Sequence, residues 1–315
     1  MRHLAIFALP LALLASPALA QTPDVAEVVA AERAFAADAP SMGIAGSFNK
    51  WSVPEAIVIG GGQAQRVGEA YPDGPKPAGE PLLEWWPNFA GVSRSGDMGF
   101  TTGGVALNGQ RTGHYFTIWK RQSDGSWKWV YDGGSGASAA DVPGPETEPV
   151  ILPAGPELME VAYADGSTSP RPRSERAMHA VREQEALLAE AAAVDQKAAH
   201  LAVMADNGRL YVAPRPPAIG REAFAEALSG WPAAFRFGPT EGGGASNYGD
   251  LVWTYGPAAW IRDDQLRAGH YVRLWQRQEA GWKIVLAQLI PAPPPPPPPP
   301  TPAPPPSPPP PPAGS

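Results

Sequence analysis

The feature that most constrains this chain is a repeat. "GHYFTIWKRQSDGSWKW" at residues 113–129 returns as "GHYVRLWQRQEAGWKI" at 269–284. Gly113-His114-Tyr115 comes back as Gly269-His270-Tyr271, Trp119 as Trp275, Arg121 as Arg277, and Trp127-Lys128 as Trp282-Lys283. Each copy alternates over strand length and closes through a turn with glycine, Asp124-Gly125 in the first and Glu279-Ala280-Gly281 in the second. That pattern reads as a β-hairpin. A supersecondary unit that returns at a fixed distance points to a chain built as two related halves.

The repeat extends upstream. "GDMGFTTG" (96–103) matches "GDLVWTYG" (249–256), and Trp86-Pro87 with Phe89 is paired with Trp231-Pro232 and Phe235 as a helix end. Each half opens with an Ala-rich amphipathic helix. In the first, Thr22 is read as the cap and Pro23 as the first helical residue, with Val25, Val28, Val29 and Phe35 on one face. In the second, Ser174 is read as the cap of a longer helix reaching Met204, with Met178, Val181, Leu188 and Val194 inward. Each half then reads as a short helix, a first strand near 55–59 or 208–212, another helix, and three or four long strands. Helices followed by an antiparallel sheet indicate α+β architecture.

The expected layout is a signal peptide at 1–20, a first domain at 21–134, a linker at 135–173, a second and diverged domain at 174–290, and a Pro-rich tail at 291–315. Arg2 and His3 precede an apolar run at 4–14 too short to span a bilayer, and Ala18-Leu19-Ala20 gives a small-x-small cleavage pattern. Export to the periplasm or medium is the resulting expectation. Within the linker, 150–152 and 158–161 have the composition of short strands packing back on a domain. The last 25 residues hold 18 prolines, which excludes helix and sheet there and fits a polyproline II spacer or a ligand for a proline-binding partner.

The opening "AERAFAADAPSMGIAGSF", the strand "SRSGDMGFTTG" and the hairpin "GHYFTIWKRQSDGSWKW" resemble the nuclear-transport-factor-two-like superfamily, in particular its SnoaL-like branch. The resemblance covers residues 24–134 well and 174–290 less well. It implies two tandem cone-shaped domains, each a curved antiparallel sheet packed on about three helices with a pocket at the wide end. Relatives include ketosteroid isomerase, polyketide cyclase and scytalone dehydratase, alongside many that only bind or dimerise. The tyrosine and acids of the isomerase and the histidine pair of the hydratase have no matching motif in this sequence.

Composition narrows the chemistry. The chain has no cysteine, so thiolate metal sites and a cysteine nucleophile are excluded. Net charge is −7 with no basic cluster, which argues against a nucleic-acid partner. After the leader no stretch approaches the ~20 apolar residues of a membrane helix. No metal or organic cofactor is expected. His179 and His200 are read as helix-surface residues, and the glycine runs at 60–62, 133–136 and 242–244 as loops.

Alternation puts His114, Phe116 and Ile118 on one face of the first repeated strand and Tyr115, Thr117, Trp119 and Arg121 on the other. The aliphatic face is assigned to the interior of the cone, with His114 and His270 at its rim, each either a general acid–base or a structural histidine. The opposite face is read as a packing ladder or dimer surface. Asp132 is the informative difference between the halves, since Ala287 stands at its place in the second. Candidate catalytic residues are therefore His114, Asp97 and Asp132, and candidate ligand-binding residues are Trp51, Trp85, Phe100, His114, Phe116 and Ile118. Three functions fit: binding of a small apolar molecule in the first domain, proton transfer by His114 with Asp97 or Asp132, or protein interaction through a sheet face and the Pro-rich tail. The two halves are expected to pair with each other or to leave room for a homodimer.

Overall fold

The computed structural model describes residues 23–157 and 171–293. The leader, Thr22, the 158–161 segment and the tail beyond 293 lie outside the described residues. The first half opens with helix α1 (Val25–Trp51) and strands β1 (Ser52–Gly60) and β2 (Gln63–Arg66). Helix α2 (Val67–Ala70) and strands β3 (Leu83–Val92), β4 (Met98–Leu107), β5 (Gln110–Arg121) and β6 (Trp127–Gly136) follow. The connection carries β7 (Val150–Ile151), the predicted strand at 150–152, which pairs with β3. The second half runs α3 (Arg173–Val203), β8 (Met204–Tyr211), α4 (Arg221–Ser229), β9 (Arg236–Phe237), β10 (Gly242–Ala245), β11 (Leu251–Arg262), β12 (Gln265–Gln278) and β13 (Gly281–Pro291). The chain is α+β, with one seven-stranded and one six-stranded sheet. Pairing is antiparallel except where β1 meets β6, β7 meets β3 and β8 meets β13.

Each opening helix is broken once, so each sheet has three helical segments. In α1 the break is at Gly43, whose φ of 81° lies in the left-handed region that glycine adopts without a Cβ penalty. In α3 it is at Asp195, whose carboxylate accepts the Ala198 amide at 3.0 Å and caps the segment that follows. The starts differ from expectation. Asp24, not Thr22, caps α1 by accepting the Ala26 amide at 2.8 Å, and Ser174 lies inside α3, which begins at Arg173 after Pro172. Val194, expected inward, is 83% exposed because the break at Asp195 turns it away from the sheet. Pro291, expected to open the tail, ends β13 opposite Gly269.

Trp86-Pro87 is not a helix end. Both residues lie in β3, where the register slips between Pro87 and Phe89, and at such an irregularity the missing proline amide leaves no ladder bond unmade. Trp231-Pro232 does follow a helix, α4. The two segments are thus not counterparts; the turns after them, Ser93–Asp97 and Ser246–Asp250, show that β3 corresponds to β9 and β10 together. The glycine runs are likewise corrected. Gly133 to Gly136 belong to β6 and Gly242 to Gly244 to β10, and only Gly61-Gly62 turn the chain, between β1 and β2.

The long strands are buried on both faces. One face of the first sheet, with Tyr115, Trp119 and Trp129, packs on Val28, Phe35 and Phe48 of α1. The opposite face, with Phe100, Phe116, Ile118 and Tyr131, packs against Trp253, Val272, Leu274 and Leu286 of the second sheet. The expected assignment of faces is therefore inverted: the aliphatic face joins the halves, and the Tyr-Thr-Trp face lines the cone. Alternation shows which residues share a face. It does not distinguish the two faces when both are covered.

The turns at the sheet junction contact each other reciprocally. Asp97 accepts the Asn247 amide at 3.1 Å, and Asp250 accepts the Arg94 amide at 2.9 Å. Since Arg94 and Asn247 hold equivalent places, each half gives the other the same bond. This is the pattern of a two-fold interface carried within one chain.

Candidate functional site

The inner face of the first sheet carries a buried carboxyl that sequence reading missed. Glu32, in the middle of α1, is fully buried and accepts the indole N–H groups of Trp85 at 2.6 Å and Trp119 at 2.9 Å, together with the Thr101 hydroxyl. The second half repeats this arrangement. Glu185 of α3 accepts Trp275 at 2.7 Å and Thr254 at 2.6 Å. The repeated Trp of the hairpin is thus a donor to a helix glutamate, and its recurrence is accounted for by the fold. The signal was present as a glutamate on the apolar face of each opening helix.

The halves differ at the next position inward. In the second, Arg273 donates to Glu185 and closes the charge in a buried ion pair. In the first, Thr117 stands at that place and its hydroxyl donates at 2.7 Å to Oδ2 of Asp132, directly across the β5–β6 ladder. Asp132 is 9% exposed, and among the described residues its Oδ1 has no protein partner. Burial pushes its carboxyl well above the usual range, the Thr117 hydrogen bond opposes this, and the negative charge of Glu32 raises it further. Burial also raises Glu32, against the opposing bonds from Thr101, Trp85 and Trp119. With more donors, Glu32 is the better seat for the anion and Asp132 for the proton.

Asp132 faces a cavity of about 340 Å³ at the wide end of the first cone, whose apolar walls include Phe48, Val58, Tyr71, Leu83 and Trp85. The size lies at the small end of the ~300–1,000 Å³ range of ligand pockets. Of the candidate ligand-binding residues, Trp85 and His114 border the cavity while Trp51 packs behind it, its indole donating to Asp38 at 2.7 Å. Phe100, Phe116 and Ile118 lie in the core between the sheets, because their face is the joined one.

Asp97 is not beside His114. It sits in the β3–β4 turn, bound to Lys120 at 2.7 Å and to the Asn247 amide. Burial would raise its carboxyl, but the bonds from Lys120 and Ser95 outweigh that and hold it low. His114 and Asp132 do not form a dyad either. Thr117 is opposite Asp132 and His114 opposite Ser135, so the imidazole lies on the other face of β5 and roughly 10 Å along it. His114 is 2% exposed with Nε2 unpartnered, its ring against Tyr211. Burial pushes its pKa down to about 4, so it is neutral. His270 is a clasp between the halves, Nδ1 meeting the Gly62 carbonyl oxygen at 2.7 Å and Nε2 meeting Glu241 at 3.2 Å. His200 is buried rather than on the helix surface, held by the Gln196 carbonyl at 2.7 Å and pushed down to about 3 by burial and the nearby Arg273 charge. Among the described residues no cluster of His, Asp or Glu has the arrangement of a metal site, and no helix is long and apolar enough to cross a membrane.

No family model matches the chain, and no curated protein matches it. Among the solved structures it resembles are NTF2-like and ketosteroid isomerase-like proteins. An NTF2-like protein with a cystatin-like fold from Novosphingobium aromaticivorans is similar at 19% identity and a TM-score of 0.30, over 36% of this chain and 81% of that one. A ketosteroid isomerase-like protein from Erwinia carotovora atroseptica is similar at 17% identity and a TM-score of 0.29, over 35% of this chain and 92% of that one. A structure from Catenulispora acidiphila in complex with S-DNPA is similar at 19% identity and a TM-score of 0.29, over 35% and 90% respectively.

Proposed function

We infer that this is an exported protein whose first half binds a small, largely apolar molecule carrying one hydrogen-bond acceptor. The observation that carries this is Asp132. A carboxyl at the base of an apolar cavity, bonded only through Oδ2 and raised by burial, offers a neutral O–H to whatever fills the space. A ligand carbonyl or ether oxygen meeting that proton gains a hydrogen bond in a site with little water to compete. The second half has Ala287 and Arg273 at the matching places, which removes the acid and neutralises its neighbour.

Glu32 supports a second reading, proton transfer to or from the bound molecule. Two carboxyls whose surroundings separate their affinities for a proton are a common basis for acid–base work. Asp132 would protonate the ligand oxygen, and Thr117 would hold it in place. Two substitutions separate the readings. Asp132→Asn keeps a donor and should keep binding of neutral probes such as acetophenone and cyclohexanone while abolishing any turnover; Asp132→Leu should lose both. Equal binding by the wild type and Asp132→Leu would sink the assignment of the pocket.

A further inference from the structure

A second cavity, of about 610 Å³, lies between the halves, with walls from β3, the 140–147 segment and β8. Arg209 lines it and is 8% exposed, its guanidinium 4.3 Å over the Phe89 ring. Its guanidinium donates to two backbone carbonyls, Asn207 and Gly208, each at 3.2 Å. Arg111 also lines the cavity and donates to the Val142 carbonyl at 3.0 Å. Asp141 and Glu146 also line the cleft, yet among the described residues no carboxylate lies within ion-pair distance of either guanidinium. A cation so nearly removed from water without a counter-charge is costly, and buried charges are ordinarily paired. The contrast with Arg273, also buried and paired with Glu185, is internal to the molecule. His114 adds an independent sign, since it borders the same cleft with a buried, unpartnered Nε2.

We propose that this inter-half cleft is a binding site for a small organic carboxylate, with Arg209 as its counter-charge, Phe89 and Tyr211 as apolar walls and the His114 imidazole as a further hydrogen-bonding group. Arg111, which lines the same cleft, is a second cation available to the carboxylate. The site borders the cone cavity at His114 but differs from it: it is built by both halves, and it selects charge where the cone selects apolar shape. It draws on Arg209 and the cleft and does not depend on Asp132.

The test uses the full chain and three probes, benzoate, acetate and succinate, against sodium chloride at matched ionic strength and against neutral benzamide. At least one carboxylate should give a saturable rise in Tm that benzamide does not give. Arg209→Gln should lose the response and Arg209→Lys keep a weakened one. Without any probe, Arg209→Met should be at least as stable as the wild type, because it removes an uncompensated charge while keeping the stack on Phe89. No response to any of the three would overturn the proposal. So would a response that survives Arg209→Gln but is lost in Asp132→Leu, which would put the anion in the cone. Arg209→Met that is less stable, with the carboxylates without effect, would make Arg209 a structural residue only.

Discussion

At residue 132 the two halves part chemically, and the consequence is a stability that depends on pH in a predictable direction. A carboxyl with a raised folded pKa holds a proton that the unfolded chain, near the ordinary value of about 3.9, has released. Its contribution is most favourable below that value and is lost as pH rises toward the folded pKa. Asp132→Asn should therefore raise Tm, by an amount that grows as pH rises above about 4, at about 2–4 °C for each kcal/mol recovered; calorimetry as a function of pH checks it, and a constant offset would contradict it. His114 works in the opposite sense. Its folded pKa is about 4 against 6.5 for the free group, so its contribution is complete above 6.5 and is lost as pH falls toward 4. His114→Gln should reduce the acid-side loss, by up to roughly 3 kcal/mol, seen as a smaller difference between urea unfolding at neutral and acid pH. His200, lowered to about 3, keeps part of the acid sensitivity in that variant.

The hairpin and its helix are the units that the sequence made legible. Repetition showed the strands and the turn; the register then puts Arg121 opposite Trp127 and Arg277 opposite Trp282 in the same way in both halves. It did not by itself show what Trp119 and Trp275 donate to; the clue lay elsewhere, in Glu32 and Glu185 each falling on the apolar face of its helix. Nor did it show which face was inward, because burial of both faces erases the contrast that alternation depends on. The difference at Asp132 was readable, while its partner Thr117 and the matching Arg273 became meaningful only once strands β5 and β6 were in register. Within these elements the buried ion pair should be the sensitive point. Arg273→Met leaves Glu185 charged and buried and should cost about 3–5 kcal/mol. Thr117→Val, which removes one hydroxyl bond from Asp132, should cost about 1–2 kcal/mol. Chemical denaturation of both variants checks the ordering, and equal costs would show that Glu185 does not need its arginine.

On the scale of the whole molecule, the two sheets share one core, and the turns that carry Asp97 and Asp250 grip each other. The halves should accordingly unfold together. Phe100→Ala, at the centre of the shared layer, should cost about 3–5 kcal/mol and lower one common transition; two resolved transitions in a scan would mean that each half is stable by itself. One half keeps a free acid and the other has its charge closed, and the account rests on the free one. The most direct test is infrared difference spectroscopy of the wild type against Asp132→Asn near pH 7. The account predicts a protonated carboxyl C=O band in the wild type that the variant lacks and that shifts when acetophenone is bound. A spectrum in which Asp132 contributes only carboxylate bands at that pH would contradict it.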